Sequence, residues 1–168
     1  MPHPAHHPLS FKDYTLTGLL QHAAGSSTKG VSFVDGADDE HSLSYAELYR
    51  TATCTLGALR RLGVQQGHEL IIQTDDNRRF LVVFWACLLG KIIPVPVSTG
   101  NREDHRLKLI KIWEALHNPW LAADEANLAR LEKYAADHGA DWFSEATAGR
   151  TLTLGALLQE HEPAVLSS

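Results

Sequence analysis

A long apolar segment between two strand-like runs places the strongest constraint on the fold of this chain. Residues 80–89 read FLVVFWACLL, and a helix that is apolar nearly all round has to be buried on most of its sides. The branched apolar run at residues 70–72 precedes this segment, and a second strand-like run follows at residues 92–97. A strand, a helix and a strand in this order are typical of a βαβ unit with parallel strands.

The same alternation extends along most of the chain. Helical spacing of apolar residues recurs at 16–23, 44–62, 102–117 and 124–138, with a weaker helix or turn at 152–158. Further strand-like runs lie at 31–34, 120–123 and 140–143. The sequence therefore predicts an α/β fold, in which a mainly parallel sheet carries helices on both faces. Pro94 and Pro96 cannot donate to a sheet ladder, so we expect an edge strand, a strand start or a bend there.

Local signals indicate where several helices begin and end. Ser44 and Glu47 have the spacing of a capping box, in which a hydroxyl and a carboxylate each accept a backbone N–H group. Gly63 is expected to end the helix that follows. Acidic residues at 75–76 and Asp124 stand where they would cap the next helices, and Gly90 is expected to end the apolar one.

Composition excludes several classes of protein. The 168 residues suffice for one domain or a piece of a larger one, and 44% hydrophobic with 21% charged residues excludes a wholly disordered chain, a collagen and a coiled coil. The formal net charge of −5 gives no reason to expect nucleic acid or an anionic membrane as a partner. The longest apolar stretch, at 80–97, contains Lys91 and two prolines, which argues against a membrane span.

The termini and the cysteines complete the organisation. We expect a disordered tail rich in histidine and proline at 1–14, a folded portion at 15–160 and a linker-like tail at 161–168. Residues 1–8 lack the apolar region of a secretory signal, so we expect a cytoplasmic protein. His3, His6 and His7 could bind a divalent metal weakly, but the prolines between them oppose a compact site. Cys54 and Cys87 are expected to be buried thiols, although their spacing leaves a disulfide open.

A search for catalytic motifs finds candidates that each have a plainer structural interpretation. The chain contains no G-x-S-x-G, H-E-x-x-H, G-x-x-x-x-G-K-[ST] or G-x-G-x-x-G pattern. Residues 25–30, GSSTKG, have the composition of a phosphate-binding loop, but they follow a helix and precede a strand, which favours a simple connection. The acidic residues at 38–40 are expected in a polar loop.

Two further groups of side chains remain open as candidates. Arg78 and Arg79 stand near a helix start, where they could bind a carboxylate or phosphate or form a solvated face. The four tryptophans are expected to anchor a core or an interface rather than to stack nucleotide bases, because no basic residues are interleaved with them. These are Trp85, Trp113, Trp120 and Trp142.

Three segments in order resemble the adenylate-forming enzymes, the family of acyl-AMP and acyl-CoA ligases and of nonribosomal peptide synthetase adenylation domains. Residues 43–48, LSYAEL, resemble its first core motif. Residues 62–69, LGVQQGHE, resemble R-x-x-G-V-x-x-G-D-x-V, and residues 88–97, LLGKIIPVPV, resemble the second core motif L-x-A-G-x-x-x-V-P-[IV]. The PVPV ending and the helix after it are similar to the fatty acyl-AMP ligase branch, or to adenylation domains at the head of mixed polyketide–peptide synthetases. The departures are Lys91, in place of a small residue, and His68 and Glu69.

The resemblance implies the N-terminal part of the large domain of an enzyme that activates a fatty acyl or amino acid with ATP and Mg²⁺. The acyl group would then pass to a carrier-protein thiol in a polyketide or nonribosomal peptide synthetase. The family's phosphate loop T-S-G-S-T-G-x-P-K-G, its adenine-binding and ribose-binding motifs and its catalytic lysine have no counterpart among these 168 residues. We therefore assign no catalytic, cofactor-binding or metal residue, and expect that this chain alone does not form acyl-AMP.

The same resemblance implies two partners, the remainder of the adenylation domain and a carrier-protein domain. An incomplete domain would also be expected to associate with itself through exposed apolar surface. Two other hypotheses remain: a stand-alone, non-catalytic binding or docking module with the same partial fold, and a small nucleotide-binding α/β protein of another family.

Overall fold

The structure is a computed structural model that describes residues 15–26, 28–34, 40–100 and 103–159. The chain forms two compact units, Met1–Tyr49 and Arg50–Ser168. Both expected tails and the three histidines of the weak metal site lie outside the described residues. No helix in the described ranges is both long and apolar enough to cross a membrane.

The first unit contains one helix and a two-stranded antiparallel hairpin before the next helix begins. Its elements are α1 (Leu16–Ser26), β1 (Gly30–Val34), β2 (Glu40–Ser44) and the start of α2 (Tyr45–Arg61). Strand β2 was not expected, because residues 38–40 were assigned to a loop and only one residue of EHSLS, the buried Leu43, is apolar. Pairing with β1 stabilises this strand, although its own residues have little preference for strand structure.

The capping box at the start of α2 is confirmed. The backbone N–H of Ser44 donates to the carboxylate of Glu47 at 3.0 Å, and the backbone N–H of Glu47 donates to Ser44 Oγ at 3.2 Å. Two otherwise unpaired donors at the helix start are thereby satisfied.

The second unit contains a four-stranded sheet in which all paired strands are parallel, in the order β4-β3-β5-β6. The predicted α/β class, with a parallel sheet covered by helices, is confirmed. Strand β4 lies at one edge, which is one of the three alternatives that its two prolines left open. The elements after α2 are β3 (Glu69–Gln73), α3 (Asn77–Gly90), β4 (Ile93–Pro96), α4 (Glu103–Ala115), β5 (Pro119–Ala123), α5 (Glu125–Asp137), α6 (Asp141–Thr147), β6 (Thr151–Thr153) and α7 (Leu154–Leu157).

Two hydrophobic clusters cover opposite faces of this sheet. Leu70 and Ile72 of β3 belong to the cluster that contains residues of α2, α3 and α7. Ile71, between them, belongs to the cluster that contains residues of α4, α5 and α6. Successive side chains of a strand point to opposite faces, so the three central residues of β3, at 70–72, are all apolar.

The apolar helix α3 is capped at both ends. Asp76 accepts hydrogen bonds from the backbone N–H groups of Arg78 and Arg79. After Gly90, Lys91 takes a left-handed conformation with φ of 55°, and its N–H group donates to carbonyls of the last turn. A residue other than glycine is unfavourable in this conformation, so the departure from the family pattern at Lys91 carries some backbone strain.

The prediction of a strand at 140–143 is wrong, because these residues begin α6. The chain turns at Gly139, which has φ of +65°, and the N–H of Ala140 donates to the carbonyl of Ala135. The side chain of Phe143 in this short helix is buried. A strand that was not expected lies at Thr151–Thr153 and pairs with β5. It overlaps the start of the helix or turn predicted at 152–158, and α7 at Leu154–Leu157 confirms a helix in the rest of that range. Short apolar runs do not distinguish a strand from a buried helix.

Both cysteines are buried thiols that are not joined in a disulfide, which resolves that alternative. Burial raises the pKa of the Cys87 thiol to about 12. This thiol therefore stays protonated at neutral pH and acts as a small apolar side chain in the core.

Candidate functional site at the carboxyl edge of the sheet

The order of the strands creates a crevice at the carboxyl edge of the sheet. Strand β3 has β4 on one side and β5 on the other. After β3 the chain forms the neighbouring strand on one side, and it then crosses over to form the neighbouring strand on the other side. Helices α3 and α4 accordingly contribute to the clusters on opposite faces. In open α/β sheets, ligands bind outside the carboxyl ends of the strands where the strand order reverses. Here that place lies between the ends of β3 and β5.

Polar residues follow directly after both of these strands. Thr74 follows β3 and Asp124 follows β5. The hydroxyl of Thr74 donates to Asp124 Oδ2 at 2.6 Å, and the same hydroxyl oxygen accepts the backbone N–H of Asp76 at 3.1 Å. The hydroxyl thus joins the two sides of the crevice.

Arg79, in the first turn of α3, contacts the carboxylates of both Asp124 and Asp76. Its Nη1 donates to Asp124 Oδ1 at 2.7 Å, and its Nε lies 3.4 Å from Asp76 Oδ2. Asp76 also caps α3 through its other carboxylate oxygen. We call Thr74, Asp76, Arg79 and Asp124 the switch-point network.

The switch-point network is suited to holding its surroundings in place rather than to proton transfer. Both oxygens of Asp124 accept hydrogen bonds, and so do both oxygens of Asp76, counting the contact with Arg79. A carboxylate whose acceptors are occupied in this way is not positioned to remove a proton from a ligand. The network therefore fixes the starts of α3 and α5 on either side of the crevice.

A second contact lies beside this network. The hydroxyl of Thr99, which follows β4, donates to the carboxylate of Asp75. Polar groups after three parallel strands are therefore tied to one another at this edge. Of the paired acidic residues, Asp76 serves the helix cap that the sequence predicted, and Asp75 binds the loop after β4.

Asp124 stands at the N-cap position of α5, as the sequence predicted, but its side chain makes no hydrogen bond to the helix start. It binds Thr74 and Arg79 instead, which are 50 and 45 residues away in the sequence. The available signal was its place directly after a strand, shared with Thr74.

The glycine-rich segment at 25–30 does not form a phosphate-binding loop in its described residues. Gly25 and Ser26 belong to α1, and the carbonyl of Lys29 accepts the N–H of Tyr45. Gly30 begins β1, where a Cβ atom would overlap the backbone carbonyl of Leu43. Close approach within the hairpin, rather than approach to an anion, accounts for this glycine.

The remaining candidates divide between core and surface. Arg78 is exposed, whereas Arg79 belongs to the switch-point network. Residues 38–39 lie outside the described residues, as does the side chain of Glu40. Among the tryptophans, Trp113 and Trp120 are buried, Trp85 packs against the core and Trp142 is 42% exposed.

A bound nucleoside triphosphate with its metal needs metal ligands and cations beside its phosphates. Within 15–26, 28–34, 40–100 and 103–159, no three histidine, cysteine, aspartate or glutamate residues are grouped to hold a metal ion. Arg79 is already paired with two carboxylates. No step of an ATP-dependent reaction is therefore derived from these side chains.

The residues that depart from the family pattern at 68–69 have structural roles at the opposite, amino edge of the sheet. Nδ1 of His68 accepts hydrogen bonds from Trp120 Nε1 at 3.1 Å and from the backbone N–H of Gln65 at 3.2 Å. The carboxylate of Glu69 accepts the backbone N–H of Asn118 at 2.8 Å and that of His117 at 3.4 Å.

Glu69 is buried, yet its environment favours the charged form. Burial by itself raises the pKa of Glu69, but the backbone N–H groups of Asn118 and His117 lower it, with a smaller contribution from the charge of His117. The pKa therefore lies below its ordinary value. The carboxylate links the start of β3 to the turn that precedes β5.

The fold and this crevice define an open α/β sheet of the class that binds ligands at a switch point. A family model for the AMP-binding enzymes matches residues 20–115, which is more than half of the chain. The salicyl-AMP ligase / salicyl-S-ArCP synthetase of Mycobacterium tuberculosis is 30% identical in an alignment over 110 residues, and the match covers 61% of this chain and 20% of that protein.

Solved structures show the same relationship. The structure of McyG A-PCP complexed with phenylalanyl-adenylate is 27% identical, with a TM-score of 0.77 over 92% of this chain and 28% of that one. The adenylation domain of a keto acid-selecting nonribosomal peptide synthetase module, bound to keto acyl adenylate, is 26% identical, with a TM-score of 0.76 and the same coverage. The chain belongs to the AMP-binding, adenylate-forming enzyme family, and its fold is that of the N-terminal part of such an enzyme.

Proposed function

We propose that this chain is part of an enzyme that activates a carboxylic acid with ATP and transfers the acyl group to a carrier-protein thiol. In the first step the carboxylate attacks the α-phosphorus of ATP and pyrophosphate leaves; in the second the thiol attacks the acyl carbonyl and AMP leaves. The family match over residues 20–115 carries this proposal. The names of the relatives support the carrier step, since one is a salicyl-S-ArCP synthetase and another an A-PCP structure.

Within that enzyme, the residues described above would supply a scaffold rather than the ATP site. The chain spans 20% of the curated relative and 28% of the two solved structures, so most of such an enzyme has no counterpart in it. Its charged side chains at the crevice are occupied with one another. Adenylation needs donors and a metal around the phosphates, and we propose that the remainder of the adenylation domain provides them.

The substrate class and cellular location are further proposals. The fatty acyl-AMP ligase branch rests on the PVPV ending of residues 94–97, whereas the relatives above have salicyl, phenylalanyl and keto acyl groups in their names. We propose a cytoplasmic synthetase of the polyketide or nonribosomal peptide type. A panel of fatty, aromatic, keto and amino acids, assayed with the complete enzyme by trapping the adenylate with hydroxylamine, distinguishes these substrates.

Pyrophosphate release tests the role of the chain itself. The 168-residue protein, mixed with ATP, Mg²⁺ and each acid of the panel, is expected to release no more pyrophosphate than a control without protein. Release above that control with any acid would contradict the scaffold role.

Sequencing the source reading frame beyond Ser168 tests the proposed enzyme independently. Continuation into a loop rich in serine, threonine and glycine with a lysine supports the adenylating enzyme. A stop codon would refute it for this protein and would favour a stand-alone docking module.

A further inference from the structure

His68 joins two segments at the amino edge of the sheet, and neither the switch-point network nor the proposed function uses it. It stands at the end of the turn between α2 and β3. Its Nδ1 accepts the N–H of Trp120 Nε1, in β5, at 3.1 Å and the backbone N–H of Gln65, in the turn, at 3.2 Å. We call these two hydrogen bonds the imidazole latch, because together they tie the turn to β5.

The two partners of the imidazole latch determine which ring nitrogen of His68 carries hydrogen. An indole N–H and a backbone N–H can only donate, so Nδ1 must offer its lone pair, and the neutral ring then holds its hydrogen on Nε2. An imidazolium ring carries hydrogen on both nitrogens and offers no acceptor in any orientation. Protonation of His68 therefore breaks both hydrogen bonds at once.

The indole of Trp120 carries this change into the core. Trp120 is 7% exposed and belongs to the cluster that contains residues of α2, α3 and α7. A Cβ atom at Gly63 would lie 3.3 Å from Cη2 of Trp120, so the turn also packs against the indole ring. A buried donor that loses its acceptor destabilises the packing around it, so release of the indole N–H should loosen the turn as well.

Backbone hydrogen bonds hold the neighbouring residues without any imidazole group. The N–H of Gly67 donates to the carbonyl of Lys91 at 3.0 Å, and the N–H of Ile93 donates to the carbonyl of His68 at 2.9 Å. Backbone amides do not titrate in the range where histidine does, so these bonds survive protonation of the ring. Acid should therefore open the imidazole latch locally and leave β3 paired with β4.

The charged and titratable groups on the segments around His68 do not supply a replacement acceptor. The carboxylate of Glu69 is held by the backbone N–H groups of Asn118 and His117. The ring of His117 lies 3.8 Å from that carboxylate, but its side chain is 89% exposed, so solvent weakens the attraction when it is protonated. The remaining groups are the cations Arg60 and Arg61 at the end of α2, Lys91 after α3 and Arg150 before β6. These charges influence the pH at which the latch opens, but not the direction of the change.

We propose that the imidazole latch is a pH-sensitive device, which holds the turn at 63–68 on β5 at neutral pH and releases it in acid. Histidine is the side chain whose charge ordinarily changes between about pH 5 and 8. The neutral ring of His68 accepts both N–H groups and the cation accepts neither. His68 is a departure from the family pattern, so membership of the family does not imply this device. It does not depend on the adenylating activity either.

Nuclear magnetic resonance of the nitrogen-labelled 168-residue chain, between about pH 8 and pH 5, tests the proposal. At neutral pH the ring nitrogens of His68 should show hydrogen on Nε2 and none on Nδ1. As the pH falls, the indole N–H signal of Trp120 should move with the same midpoint as the ring signals of His68. These two measurements need no substitution.

His68→Asn is the test variant, because its Oδ1 takes the position of Nδ1, accepts the same N–H groups and does not titrate. His117→Asn is the matched control, since it removes a second histidine at this edge. The movement of the Trp120 signal should disappear in the test variant and persist in the control. At about pH 5 the amide of Gln65 should exchange hydrogen about tenfold faster in the original chain than in His68→Asn, and that of Gly67 less than about twofold faster.

Four outcomes would overturn the proposal. They are hydrogen on Nδ1 of His68 at neutral pH, a Trp120 signal that does not follow the titration of His68, an acid response that survives in His68→Asn, and equal acceleration of exchange at Gln65 and Gly67, which would indicate general unfolding. Far-UV circular dichroism checks folding. If His68→Asn unfolds, the position of the ring hydrogen and the shared midpoint, both measured on the original chain, decide the matter.

Discussion

Replacing Glu69 with glutamine removes a negative charge at the amino edge of the sheet, where the carboxylate accepts hydrogen bonds from two backbone N–H groups. Only the bond from Asn118, at 2.8 Å, is short, since the bond from His117 is 3.4 Å long. A hydrogen bond to a charged group contributes about 1.5–3 kcal/mol and a neutral one about 0.5–1.5 kcal/mol. The glutamine keeps one acceptor oxygen, so Glu69→Gln should lower the free energy of unfolding by about 1–2 kcal/mol at pH 7.

The effect should depend on pH in a defined direction. The pKa of Glu69 is lower in the folded chain than its ordinary value. The charged carboxylate therefore stabilises the folded state fully above the unfolded pKa of about 4.3, and this contribution is lost as the pH falls through the folded pKa. Glutamine does not titrate, so the difference between the original chain and Glu69→Gln should shrink below about pH 4.

Urea unfolding, followed by tryptophan fluorescence at several pH values, measures this difference. Glu145→Gln is the matched control, because Glu145 is exposed on α6 and its loss should change stability by less than about 0.5 kcal/mol. Equal stability of the original chain and Glu69→Gln at pH 7 would refute the reasoning. So would a difference that stays constant as the pH falls below the ordinary glutamate pKa.

Three further predictions concern the crevice, the core and the surface. A double-mutant cycle of Arg79→Ala and Asp124→Ala, measured by urea unfolding, should give a coupling free energy of about 0.5–1 kcal/mol, because the pair is close but partly exposed. If the two losses of stability are additive, the residues of the switch-point network do not act together. Gly90→Ala should destabilise by about 1–3 kcal/mol in thermal unfolding, because its Cβ would overlap Leu56 and lie 3.2 Å from Ile92, and an unchanged midpoint would contradict this packing. Light scattering should detect self-association at high concentration, since large apolar side chains such as Ile93 and Trp142 are exposed; a monodisperse monomer would contradict it.

The parts of the fold that were predictable depend on neighbouring residues. The capping box needs only Ser44 and Glu47, and the buried helix α3 follows from ten consecutive apolar residues at 80–89. The prolines at 94 and 96 predicted an edge, a strand start or a bend without knowledge of the partner strand, and β4 lies at an edge. Local sequence patterns therefore predicted the α/β class. Three short motifs in order predicted the family that the match over residues 20–115 shows.

The candidate site was less accessible, because its contacts join residues far apart in the chain. Arg79 was a candidate with two interpretations, and Asp124 was assigned to a helix cap, whereas its side chain binds Thr74 and Arg79. Their ion pair exists only because β5 returns beside β3. No spacing rule connects two residues that are 45 positions apart.

The sequence by itself determined most of the alternation of helices and strands, the caps at Ser44 and Asp76 and the need to cover an apolar helix. Only the tertiary structure decided that residues 140–143 turn into α6, and that β2 and β6 form where their own residues give little signal. A three-residue strand such as β6 is stabilised by its partner β5 and by the helices that cover it, not by its own preference. The physical reason is that burial and cross-strand hydrogen bonds are properties of two segments together, and they exist only once the chain has brought those segments into contact.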